Sequence, residues 1–167
     1  MPATYEPIAT TTLGSAAANI TFSSIPATYT DLRLSITTTN ASSSATFVAL
    51  QFNADTGANY SRTRISGNGT AASSNRSTGD TNLSIGVTPA SSSNFGFFGA
   101  DIFSYAGSTY KTTLSQSAGD NNGSGQVNSF VSLWSNTAAI TSVKVLLDSG
   151  TNMAAGTTAT LYGIKNA

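Results

Sequence analysis

The sequence predicts an all-β protein, a jelly-roll-like antiparallel β-sandwich of about ten strands. Three observations carry that expectation. Only 8% of the 167 residues are charged, against about a quarter in an ordinary soluble domain, and Ser and Thr fill the deficit at roughly a third of the chain. Thr favours strands, and both residues compete with the helix backbone for hydrogen bonds. Apolar and polar residues alternate over short runs separated by clusters of Gly, Asn, Asp, Ser and Pro. No helical pattern is long enough to count: Ala16-Ala17-Ala18 is too short to nucleate a helix, and no fixed-period repeat marks a propeller or solenoid. The length implies one domain, residues 1–167, and a composition 39% hydrophobic and 9% aromatic supplies its core.

Taken in order, residues 1–16 read as an extended N-terminal arm or an edge strand. Pro7 within Tyr5–Thr10 keeps that segment out of the middle of a sheet. Ala17–Phe22 is a short strand with Ile20 and Phe22 on one face. The segment Ser23–Ala27 ends it, Pro26 pushing Ile25 towards an extended geometry. Asp31–Thr39 alternates cleanly, with Leu32, Leu34 and Ile36 inward and Arg33, Ser35 and Thr37 outward. Ala45–Phe52 buries Val48, Leu50 and Phe52, and the two segments are expected to pair. A short strand over Tyr60–Ile65 precedes residues 66–81, SGNGTAASSNRSTGDT, which read as a long exposed loop. Asn82–Val87, Phe95–Tyr105 and Tyr110–Gln116 resume strand character, with Gly96 and Gly99 suggesting a bulge or close backbone approach. A second loop spans Ser117–Gly125. The densest apolar stretch, Ser129–Leu147, reads as a hairpin turning at Ser135-Asn136-Thr137, with Phe130, Leu133, Val143, Val145 and Leu147 as its core. Thr157–Lys165 completes the set.

Charge and residue inventory exclude several functions. Seven basic and seven acidic residues balance, so there is no basic excess for nucleic acid and no polybasic membrane patch. A protein near zero net charge associates readily, and only Lys111, Lys144 and Lys165 are available to guard sheet edges. Edges and flat faces are therefore expected to be covered by partners or by other copies of the chain. With no Cys and no His, disulfides, thiolate chemistry, zinc fingers and Ser-His-Asp triads are ruled out. MPATYEPIATTT has neither a basic nor an apolar region, so it is read as no secretory signal, and synthesis in the cytoplasm is expected. No run approaches the ~20 apolar residues of a membrane span.

No stretch nominates catalysis, a cofactor or a metal. Glycosidases need two carboxylates flanking one bond; Asp101, beside aromatic strand residues, has no partner nominated by spacing. Asp120-Asn121-Asn122-Gly123-Ser124-Gly125 begins like a calcium loop, but the twelfth position is Val131, so the EF-hand pattern fails and a hydrogen-bonded turn is the reading. Gly67-Asn68-Gly69 lacks the strand-to-helix setting of a phosphate cradle. Asn-X-Ser/Thr triplets, as at Asn19 and Asn68, are expected by chance in so Ser/Thr-rich a chain. Trp134, beside Leu133 and Phe130, reads as core. Tyr60, Arg62 and Arg64 alternate on one strand face; Arg and Tyr are favoured interface anchors, although a solvated face is the commoner fate of such a stripe. Together with Tyr5, Pro7 and Ile8 of the N-terminal segment, they are the candidate interface residues, and removal of residues 1–10 is expected to leave the sandwich folded while weakening partner binding.

Three segments carry a resemblance: YEPIATTTLGSAAANITFSSIPATYTDLRLSI at 5–36, LWSNTAAITSVKVLL at 133–147 and ATLYGIKNA at 159–167. Together they resemble a family of small β-sandwich virion proteins of tailed bacteriophages, many infecting cyanobacteria or other aquatic bacteria. The resemblance covers both ends of the chain and, more loosely, its middle. It implies a structural role without catalytic residues, either as a capsid decoration or cement protein or as a tail or fibre component. The first is the preferred expectation: a homotrimer on the capsid surface, partnered by the major capsid protein and by its own copies. A tail-fibre or receptor-binding module recognising host glycans through the 66–81 and 117–125 loops is the alternative, and a bacterial carbohydrate-binding domain is a distant third.

Overall fold

The computed structural model describes residues 4–165; the first three residues of the expected arm lie outside them. Twelve strands and no helix occur among the described residues. They are β1 (Tyr5–Thr12), β2 (Asn19–Phe22), β3 (Asp31–Thr38), β4 (Phe47–Phe52), β5 (Tyr60–Gly67), β6 (Ala72–Asp80), β7 (Leu83–Val87), β8 (Gly96–Ile102), β9 (Lys111–Gly119), β10 (Gln126–Trp134), β11 (Val143–Leu147) and β12 (Thr158–Ile164). All pairings are antiparallel, in an eight-stranded sheet ordered β1-β12-β3-β8-β9-β10-β5-β6 and a four-stranded sheet ordered β2-β11-β4-β7.

Four of these pairings, β1 with β12, β2 with β11, β3 with β8 and β4 with β7, are those of one long antiparallel ribbon rolled upon itself, which is a jelly roll. Its two sheets are β1-β12-β3-β8 and β2-β11-β4-β7. Two hairpins interrupt the scheme. The β5–β6 hairpin is inserted between β4 and β7, and the β9–β10 hairpin between β8 and β11; both add to the β8 side and extend the first sheet by four strands.

The alternation expected for β3 is realised: Leu32, Leu34 and Ile36 are fully buried. Val143, Val145 and Leu147 of β11 meet Val48, Leu50 and Phe52 of β4 in the same core. That core draws on both sheets and includes Trp134, which stacks on Tyr60 and meets Phe52 edge-on, with ring centres 6.4 and 5.5 Å apart.

Three expectations fail, the first two because alternation says which face a residue occupies, not which strand lies beside it. Segments β3 and β4 do not pair; they cross between sheets, β3 lying between β12 and β8. Ser129–Leu147 is likewise no hairpin, since β10 and β11 belong to different sheets, and Leu133 sits in the opposite phase to buried Phe130 and Trp134. Residues 66–81 are not a loop. Gly67 ends β5, and β6 returns antiparallel to it through a turn at Gly69-Thr70. Gly69 adopts φ +86° there, and the Asn68 side-chain oxygen accepts the Thr70 and Ala71 N–H groups.

Candidate interaction face

The inserted hairpins place apolar side chains on the outside of the larger sheet. On its outer face Val127 of β10 stands between Gly67 of β5 and Ala118 of β9, and Ala118 stands beside Phe97 of β8. Two rows along, Val131 of β10 lies beside Leu114 of β9, and Ile65 of β5 projects from the intervening row opposite Ser129. Val127 is 60% exposed and Ile65 63%; Phe97, Leu114 and Val131 are also largely open to solvent. Such a patch, four strands wide, covers on the order of 300 Å², the size at which the largest apolar patch of a monomer is often functional. Apart from Phe97, every member sits on an inserted hairpin. The jelly-roll strand β3 shows Arg33, Ser35 and Thr37 on the same face.

A groove of about 410 Å³ runs between Ile65, Phe97, Gln116 and Val127. It continues towards the loop ends into a wider cleft of about 640 Å³, where the Gly67–Gly69 turn and the Gly119–Val127 segment meet Phe95 and Phe97. The two loop regions singled out in the sequence are thus brought together around two exposed aromatic rings. Within the second loop the Asp120 carboxylate accepts the Gly123 N–H at 3.0 Å.

The inner face of the extension mixes short polar side chains with the buried rings of Tyr60, Phe130 and Trp134. Thr113, Ser115 and Ser117 of β9 and Asn128 and Ser132 of β10 are buried there. These short side chains let β7 approach closely: a Cβ on Gly86 would lie 2.4 Å from Phe98 and 2.5 Å from Ser117.

The expected interface residues separate into two groups. Tyr5 is exposed and meets Tyr162 edge-on, and Pro7 is exposed. Ile8 is half-buried against the core, at the bulge that shifts the β1–β12 register between Pro7 and Ala9. The segment is therefore an edge strand rather than a loose arm. Tyr60 corrects the expectation outright, for it is 1% exposed. Its hydroxyl donates to the Asp55 carbonyl at 3.0 Å and accepts the Phe52 N–H at 3.1 Å, and burial pushes its pKa up to about 12. A side chain so enclosed cannot anchor a partner. Arg62 and Arg64 turn inward as well. Arg62 pairs with Asp80 at 3.0 Å, donates to the Ser84 hydroxyl and lies over the Phe47 ring. Arg64 rests near Phe47 and Phe130, where burial first and Arg62 second lower its pKa. The stripe shields the margin of the core where the smaller sheet ends at β7.

Sequence reasoning missed Val127, Val131, Leu114 and Ile65. The available signal was that β10, QVNSFVSLW, carries apolar residues in both phases of its alternation, so one of the two sets had to face outward.

Asp101, weighed as a catalytic acid, is held by Arg33 at 2.5 Å. Asp55 accepts hydrogen bonds from Trp134, Asn59 and Gly57; burial acts to raise its pKa, but these donors outweigh it and hold the carboxyl below its ordinary value. Among the described residues no group of three or more acidic side chains is placed to hold a metal. Compared with known proteins, the chain matches no family model and no curated protein.

Proposed function

We propose that this chain is a structural protein of a tailed-phage particle, a decoration or cement protein that lies on the shell through the outer face of its inserted hairpins. The observation that carries the reading is the apolar strip of Ile65, Phe97, Leu114, Val127 and Val131 on that face; the virion setting rests on the resemblance of the three segments. The major capsid protein is the proposed partner, with copies of the chain acting together, as in a homotrimer. Burying about 300 Å² of apolar surface yields about 7 kcal/mol before costs, and lost translational and rotational freedom offsets most of it. One copy alone would hold weakly, so linked copies binding at several points are what would give firm attachment.

The test is to mix purified protein with undecorated shells and image the particles. Shell-wide density is expected, lost in an Ile65→Glu/Val127→Glu variant that remains folded. Full occupancy by that variant would remove the face from the proposal, and density confined to the tail tip would remove the shell.

A second reading is favoured by the cleft around Phe95 and Phe97, where aromatic rings adjoin Asp120 and Gln126. Stacking beside polar side chains suits a sugar ring, as a receptor-binding role requires. A glycan screen with Phe95→Ala as control separates the two, because Phe95 lines the wider cleft and is absent from the lining of the apolar groove.

A further inference from the structure

We propose that β6 is a self-pairing edge, joining two copies of this chain antiparallel about a two-fold axis at Asn75. The two sheets have four edges, and three are blunted. Edge strand β1 carries Pro7, a bulge and the Glu6–Lys165 ion pair at 2.9 Å. Strand β2 has four residues and β7 five, with β7 bulged against β4 and buried. Strand β6 is different. It runs for nine residues, ASSNRSTGD, with no proline or lysine, and its register with β5 is unbroken up to the Tyr60/Ser61 end. A long unguarded edge is a template for another strand.

The register decides which of its groups are free. Asn68 N–H donates to the Ala71 carbonyl, and Ser135 N–H donates to the Asn59 carbonyl. Antiparallel ladders alternate bonded and non-bonded pairs, so both contacts lead to one answer: Ser73, Asn75 and Ser77 bond to β5, while the backbone groups of Ala72, Ser74, Arg76 and Thr78 point away from the sheet. A second β6 placed about Asn75 sets Ser74 opposite Arg76 of the other copy and Ala72 opposite Thr78. Every outward group then finds a partner. The pairing is also electrostatically permissible: the formal net charge is zero, Asp80 is engaged by Arg62, and Arg76 faces a serine rather than its own copy.

A contact of one strand is smaller than the roughly 800 Å² per partner of a stable complex, so a weak, concentration-dependent dimer is expected. A two-fold contact cannot close a trimer; it would join single copies or trimers in pairs. It is independent of the outer face and uses a different surface from the proposed shell contact.

Sedimentation of the full chain across a concentration series tests it. The wild type is expected to associate reversibly. Ser74→Pro, which removes an outward N–H that β5 does not use, is expected to weaken association roughly tenfold or more with unfolding unchanged. Arg76→Ser, relieving the diagonal approach of two guanidinium groups, is expected to strengthen it. Association of Ser74→Pro as tight as wild type, or no concentration dependence in the wild type, overturns the proposal. If the proline variant does not fold, amide exchange of the wild type decides: Ser74, Arg76 and Thr78 should slow at high concentration, and unchanged exchange overturns the pairing. Shell binding reads the face, so its failure leaves this result untouched, and the converse holds.

Discussion

Gly86 of β7 faces Phe98 and Ser117 of the larger sheet so closely that hydrogen is the only side chain that fits there. Ala at this position would place a methyl group within 2.5 Å of Phe98 and Ser117. Because these neighbours belong to packed strands, relief requires backbone movement, and a loss of about 1–3 kcal/mol is expected. Denaturant unfolding should show a lower midpoint with an unchanged slope. Tyr60 supplies a pH-dependent counterpart. Its pKa is raised by burial to about 12, so the native state holds the phenol proton more tightly than the unfolded chain does. This contribution is complete below pH 10 and is lost as pH rises from about 10 to 12, on the order of 2 kcal/mol. Tyr60→Phe should lose about 1 kcal/mol at neutral pH, through the unpaired Phe52 N–H, and should lack the alkaline decline that separates it from wild type. If the wild-type and Phe variants decline in parallel above pH 10, the buried phenol is not the cause.

At the scale of elements, β1 is part of the sandwich. It pairs along β12 from Tyr5 to Thr12, Thr10 and Thr12 share hydroxyl hydrogen bonds with Thr160 and Thr158, and Ile8 packs on the core. Deleting residues 1–10 is therefore expected to destabilise the fold, on the order of 3 kcal/mol, and to open β12 as a new edge. Thermal unfolding and aggregation rate would show both effects, and an unchanged melting curve would restore the detachable arm. Strands with one apolar phase, such as β2 and β3, are legible in the sequence because their faces meet different media. Strand β6 is not: it packs on nothing, so its residues show no alternation and resemble a loop. Partner choice is illegible for a different reason. The jelly roll pairs β1 with β12 and β2 with β11, across most of the chain, and no local pattern encodes such distances. Tyr60, Arg62 and Arg64 do share one face, as their alternation indicates, but whether that face meets solvent depends on where the smaller sheet stops.

Across the whole molecule, stability and surface are assigned to different parts of the chain. The eight jelly-roll strands hold most of the aliphatic core, whereas the two inserted hairpins supply an interior of short polar side chains and aromatic rings, an apolar exterior and the free edge. An all-β scaffold of this kind is used by viral capsid and lectin domains alike, so function has to be argued from what has been added to it. Two charges placed on the added face test this division. Ile65 and Val127 are both at least 60% exposed, and surface substitutions of that kind change stability by about 0.5 kcal/mol or less. Ile65→Glu/Val127→Glu should thus melt within a few degrees of wild type. It also moves the formal net charge from zero to −2, which raises solubility by repulsion between copies. Light scattering should accordingly report weaker attraction between molecules, while calorimetry reports nearly the same transition. A large fall in melting temperature would mean that the strip packs the fold instead of facing a partner, and the inserted hairpins would then belong with the scaffold.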